Sequence, residues 1–180
     1  MAIAANILVV AFEIVGLRIA IADRGVRILA YYTQISNIVA LVSSLAFLVL
    51  GSAAAPLRYL SSCMLVMTFL ITVCVLIPMG GDFKKLMLLD NGLYHHTLCP
   101  IVSVASYVLW EAHASMPLIP IAATMVYGFT LLGLNAARKV DGPYPFFRVY
   151  EQSLRATVLW VIALIAIITA ISLGVAAAAK

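Results

Sequence analysis

Charged side chains are scarce in this sequence: 10% of its 180 residues are charged, while 65% are hydrophobic. A water-soluble domain carries about 25% charged and about 45–50% apolar residues, so a soluble globular protein is excluded. Acidic groups are rarest, seven against eleven Lys plus Arg, for a formal charge of +4. In so apolar a chain this surplus is expected to mark which loops face the cytoplasm, and no nucleic-acid partner is implied. The three cysteines, Cys63, Cys74 and Cys99, lie in apolar runs without metal-like spacing and read as small packing residues. Histidine is as sparse. His95 and His96 diverge on one segment and His113 falls in a loop, too few well-placed ligands for a bis-histidine haem or a three-ligand zinc site; the nearby carboxylates are Glu13 and Asp90. No cofactor or metal is expected. The opening MAIAANILVV has no basic stretch ahead of its apolar run, so it reads as a first span rather than a cleaved signal. No internal repeat stands out, and only the Ala-rich VAAAAK end is low in complexity.

What the sequence has instead is long apolar runs. A helix needs about 20 mainly apolar residues to cross a bilayer, where no water serves unpaired backbone groups. The pattern predicts an all-α, polytopic membrane protein with six helices in one bundle spanning 1–180, near 3–22, 29–50, 59–79, 92–110, 118–137 and 154–175. The connections ADRGVR, GSAAAPLR, MGGDFKK, EAHASMP and RKVDGPYPFFR carry the breakers and most of the charge. Arg18, Arg24, Arg27, Lys84, Lys85, Arg138, Lys139, Arg148 and Arg155 flank the odd-numbered connections, against Arg58 and Lys180 on the other side. The odd loops are therefore expected in the cytoplasm and both termini outside.

Polar groups within a membrane are costly and by default face the bundle interior. Thr33 and Asn37 stand four apart at the head of the second span, with Ser44 further along, and Asn91 and His95 stand four apart at the head of the fourth. On an α-helix His96 points about 100° away from His95. Glu13 falls near mid-membrane, Arg18 deeper toward the cytoplasm, and the fifth connection adds Asp141, Tyr144 and the turn-forming GPYP. All lie in the middle or cytoplasmic half, whereas the outer half looks nearly featureless apart from Glu111 and His113. A polar pocket opening toward the cytoplasmic interface is expected.

Such a pocket permits nucleophilic chemistry. A threonine hydroxyl is a weak nucleophile until a base takes its proton, and an imidazole suits that task near neutral pH. Thr33 and a histidine of the 95–96 pair are candidate nucleophile and base, Glu13 or Asn91 could orient the imidazole, and Asn37 or Gln34 could donate to an oxyanion. The plainer alternative is that Thr33 hydrogen-bonds a backbone, Arg18 snorkels to headgroups and Glu13 is simply paired inside the bundle.

The order YYTQISN, NGLYHHTLCP, GPYPFFRV resembles the androgen-induced and androgen-dependent family of membrane hydrolases, in particular its compact bacterial six-span branch, over about residues 28–150. That resemblance implies an intramembrane threonine hydrolase acting on fatty acid esters of hydroxy fatty acids. It places the nucleophile on Thr33 and the base on His95, which keeps the family's Asn-to-His spacing from Asn91; the bacterial branch's spacing to Pro100 points to His96. Pro143 stands where the family has an aromatic residue, which implies a different substrate preference. A lipid-like ester would be the substrate and membrane lipids the surroundings, in a bacterial inner membrane. The competing expectation is a small transporter or lipid-binding protein using the same half-membrane pocket.

Overall fold

The computed structural model describes residues 1–111, 113–141 and 143–179. Lys180, counted above on the outer side, and Gly142 of the GPYP turn lie outside the described residues. Among those described, all regular structure is helical. Helix α1 runs Ala2–Arg24 and leads through a 3₁₀ segment, Gly25–Ala30, into α2, Tyr32–Leu50. Helix α3, Ala55–Ile71, carries Pro56 in its first turn, where no backbone N–H is needed, and continues as a π-turn, Thr72–Leu76. A short α4, Phe83–Met87, is capped by Asp82, whose Oδ1 accepts from the N–H groups of Lys84 and Lys85 at 2.8 and 3.2 Å. Helix α5, Asp90–Gly92, runs through a second π-turn, Leu93–Leu98, into α6, Cys99–Trp110; α7 is Leu118–Ala136 and α8 is Leu154–Ala178.

Four stretches are long and apolar enough to cross a membrane: Ala2–Ala30, Tyr32–Leu76, Leu118–Ala136 and Leu154–Ala178. The 45-residue stretch is folded in two at the turn Gly51–Ala54. Ser36 meets Thr68 and Ser43 meets Ser61, each at 2.8 Å, so the contacts advance along α2 as they retreat along α3. That is an antiparallel hairpin. Both π-turns lie just before a proline, Pro78 and Pro100. Proline has no N–H for the carbonyl four residues back and its ring crowds that carbonyl, so the turn ahead of it widens.

The bundle turns its apolar side chains outward as well as inward. Val49 is 82% exposed, Leu118 78% and Leu154 80%, and no water-soluble surface presents such a belt. The core combines aromatic and aliphatic groups from α2, α3, α6, α7 and α8, among them Tyr59, Cys63, Met64, Tyr107 and Ile168. The chain is built to sit in a membrane.

Candidate functional site

Thr33 occupies the first turn of α2, where backbone N–H groups have no intrahelical partner. Its own N–H donates to the Tyr144 hydroxyl at 3.4 Å. Its Oγ1 lies 3.2 Å from His96 Nε2, and His96 Nδ1 lies 2.7 Å from the Leu86 carbonyl oxygen. A carbonyl only accepts, so Nδ1 carries the proton and Nε2 is left with a lone pair facing the threonine hydroxyl. A hydroxyl, an imidazole nitrogen and an orienting carbonyl thus stand in line, within hydrogen-bond reach of one another.

The histidine favoured by its spacing from Asn91 is not the one that meets Thr33. His95 points to α1, where its Nε2 lies 3.4 Å from Glu13 Oε2 with both side chains fully buried. The cause is local: the two imidazoles sit in the π-turn, and α4 folds back so that Leu86 meets His96. Among the described residues no hydrogen bond joins Asn91 to either imidazole, and Glu13 faces His95 rather than His96. Asn37 is also not free to serve an oxyanion. Its Nδ2 donates to the Thr33 carbonyl at 2.6 Å and reaches the His95 carbonyl at 3.4 Å, tying α2 to the histidine turn. Gln34 is buried beside Thr33 with its Oε1 unpartnered, and Asp141 is exposed.

Two glycines make these approaches possible. A Cβ on Gly16 would stand 2.3 Å from His95 Nε2, so only glycine lets the imidazole lie against α1. A Cβ on Gly92 would meet the Lys85 and Leu86 carbonyl oxygens at 2.4 and 2.5 Å, so glycine there lets α4 close enough to orient His96. The two glycines and the Leu86 carbonyl were missed by sequence reasoning, which used Pro100 for its spacing to the histidines and not for the π-turn ahead of it; Gly92 on the other side of the histidines was the further signal available.

Tyr144 stacks on Phe146, with ring centroids 5.2 Å apart and planes within 2°, and Phe147 packs edge-on to both. Burial raises the Tyr144 phenol above its ordinary range, so it stays a neutral hydroxyl. This aromatic strap, between α7 and α8, closes one end of an apolar slot that passes Thr33 and runs between α3, α7 and α8. The slot is narrow, with a volume of about 70 Å³. His96 stands behind Thr33, away from the slot lining.

The opposite half of the bundle is not featureless, contrary to the sequence reading. Arg58, counted there as a loop charge, is wholly buried. Its Nε and Nη2 donate to Glu111 at 2.8 and 3.0 Å, and Nη1 reaches Ser103, Ser44 and Ser43 at 3.0, 3.1 and 3.3 Å. Glu111 also accepts from Asn6 at 2.9 Å and Ser106 at 2.6 Å. Burial disfavours its charged form, yet the Arg58 hydrogen bonds and charge hold the Glu111 carboxyl below its ordinary range. Charge counting placed Arg58 in water because its partner lies 53 residues away in sequence.

No protein-family model, curated protein or solved structure matches this chain. Among the described residues no group of three or more His, Cys, Asp and Glu side chains is arranged to hold a metal ion.

Proposed function

We propose that this chain is a six-span intramembrane hydrolase of lipid-like esters, with Thr33 as nucleophile and His96 as general base. The observation that carries the reading is the line Thr33 Oγ1, His96, Leu86 carbonyl, set beside an apolar slot. His96 Nε2 takes the Thr33 proton as Oγ1 attacks the ester carbonyl carbon. The oxyanion is met by the Tyr144 hydroxyl and by the Thr33 N–H, which exchanges its long 3.4 Å bond to that hydroxyl for the developing charge at the positive end of α2. His96 then returns the proton to the departing alkoxide, leaving an acyl-threonine. Water, deprotonated by the same imidazole, attacks that ester, and a carboxylic acid leaves as Thr33 recovers its proton. The resemblance to the androgen-induced and androgen-dependent hydrolases supports the same nucleophile. The basic residues at the odd connections support cytoplasmic odd loops, outer termini and an inner-membrane location.

The test is labelling of the purified protein by a fluorescent fluorophosphonate. Wild type and His95→Gln should label, while Thr33→Ala and His96→Ala should not. Labelling that survives in Thr33→Ala, or is absent from folded wild type, would defeat the reading.

A second reading, proton-coupled transport, is favoured by one observation. Polar groups continue past mid-bundle, from Glu13 and His95 to the Arg58–Glu111 network. It requires Glu13→Gln to abolish proton uptake into proteoliposomes, and folded wild type to take no fluorophosphonate label.

A further inference from the structure

The connection from α3 to α6 closes one end of the bundle. Arg58, in the first turn of α3, reaches Glu111 just past α6, so these helices run antiparallel and residues 77–92 lie at the far end. Asn6, near the start of α1, also reaches Glu111, which puts Arg24 at that far end too. There α4 holds the histidine turn by its last two carbonyls. Leu86 orients His96 at 2.7 Å, and Met87 accepts from the Thr97 hydroxyl at 2.7 Å. The hold on α4 itself is slight. Five residues make no stable helix alone. Its amides rest on the Asp82 cap and on two backbone bonds, Leu86 N–H to Asp82 and Leu88 N–H to Lys84, each 2.9 Å.

The outer face of this segment has an unusual make-up. Met79, Phe83, Leu88 and Leu89 are each about half exposed. Lys84 and Lys85 stand exposed among them, and among the described residues neither ammonium has a carboxylate within ion-pair distance, whereas Arg24 pairs with Asp23. Large apolar groups interleaved with free cations suit a surface that is apolar and negatively charged at once. Water would satisfy the lysines and leave four apolar side chains uncovered. The segment begins where the apolar stretch Tyr32–Leu76 ends, so the headgroup layer is the surface at hand.

We propose that α4 docks on anionic lipid headgroups through Lys84 and Lys85, with the four apolar side chains sunk into the upper acyl region, and that this docking holds the Leu86 carbonyl on His96. The second half rests on the hydrolase reading: an acidic surface keeps the base oriented, and a neutral one lets α4 open and the imidazole turn.

The test places the full chain in nanodiscs of phosphatidylcholine alone or of an equimolar mixture with phosphatidylglycerol. Hydrogen exchange is read at the amides of Lys84, Lys85, Leu86 and Leu88. These should exchange about 20-fold more slowly in the acidic discs, since each lysine drawn to an acidic surface is worth about fivefold. Lys84→Gln with Lys85→Gln should exchange alike in both discs, Lys84→Arg with Lys85→Arg should keep the difference, and high salt should erase it. Thr33→Ala should show it too, because docking needs no nucleophile. Fluorophosphonate labelling of wild type should be several-fold faster in the acidic discs, and the glutamine pair should lose that gain. Equal exchange in the two discs, or a difference that survives in the glutamine pair, would overturn the docking. Protected amides with a labelling rate that ignores the lipid would overturn the link to His96. Lipid-dependent protection in a protein that labels in neither disc removes the hydrolase instead and leaves the docking standing.

Discussion

The two buried polar clusters of this bundle are built on opposite principles. Around Arg58 and Glu111 every charged atom has partners, and four helices, α1, α2, α3 and α6, contribute them together with Glu111 at the end of α6. Around Glu13 and His95 the reverse holds. Both carboxylate oxygens of Glu13, both ring nitrogens of His95 and the Oδ1 of Asn37 are buried without a hydrogen-bond partner among the described residues. Unpaired polar groups are costly where no water reaches, and natural proteins keep them mainly where they work. The first cluster ties helices together, and the second lies one residue along the chain from His96, which faces Thr33. On the proposed hydrolase reading, stability and chemistry are separated along the length of the bundle.

The largest expected effect falls on the chemistry alone. His96→Ala should lower ester turnover by about 10²–10⁴-fold, and thermal unfolding should stay close to wild type; a comparable loss in His95→Gln would blur the contrast. At the other cluster the ordering reverses. Arg58→Ala strands the Glu111 carboxylate in a buried site and should cost about 3–5 kcal/mol of stability. Replacing the pair together, as Arg58→Met with Glu111→Leu, should restore most of that loss, as measured by detergent thermal unfolding. The sign of the pH effect follows from the Glu111 carboxyl, held below its ordinary value near 4.5. Its contribution is complete above that value and drains away as pH falls through the lowered one, so acid should shrink the gap between wild type and the double variant.

Gly16→Ala sharpens the comparison from the other side. A Cβ against the His95 ring overpacks the site by about 1–3 kcal/mol. Paired with His95→Ala the two costs should be non-additive in a double-mutant cycle; simple additivity would mean that the imidazole does not lie against α1. Smallest should be Glu13→Gln. It removes a buried acid that no hydrogen bond satisfies while keeping its shape, so Tm should change little or rise.

Much of this was legible in the apolar runs. The segments expected near 3–22, 118–137 and 154–175 correspond to Ala2–Arg24, Leu118–Ala136 and Leu154–Ala178, since continuous hydrophobicity without breakers leaves little alternative to helix. The site was half legible. Thr33 and Asn37 do share the inward face that their spacing implies, but spacing says nothing about whether an amide will spend its donor on a backbone carbonyl. The choice between His95 and His96 was beyond a 3.6-residue periodicity, because it depends on a π-turn and on α4, five residues held by one Asp82 cap. The Arg58 network was hidden differently. Ser43, Ser44 and Ser103 look like ordinary small helix residues until α2, α3 and α6 bring them around one guanidinium.

The Arg58–Glu111 pair also has a consequence for how the chain is made. Its cationic member emerges 53 residues before its anionic one, an interval of roughly 3–10 s at ordinary synthesis rates of about 5–20 residues per second. Throughout that interval the guanidinium lacks the carboxylate that partners it in the finished bundle, and, standing in the first turn of α3, it lies near enough to the helix end to reach the headgroups. The helix can thus cross with its arginine still hydrated, and the buried network closes only once the end of α6 has been made, with Glu111 as its latch.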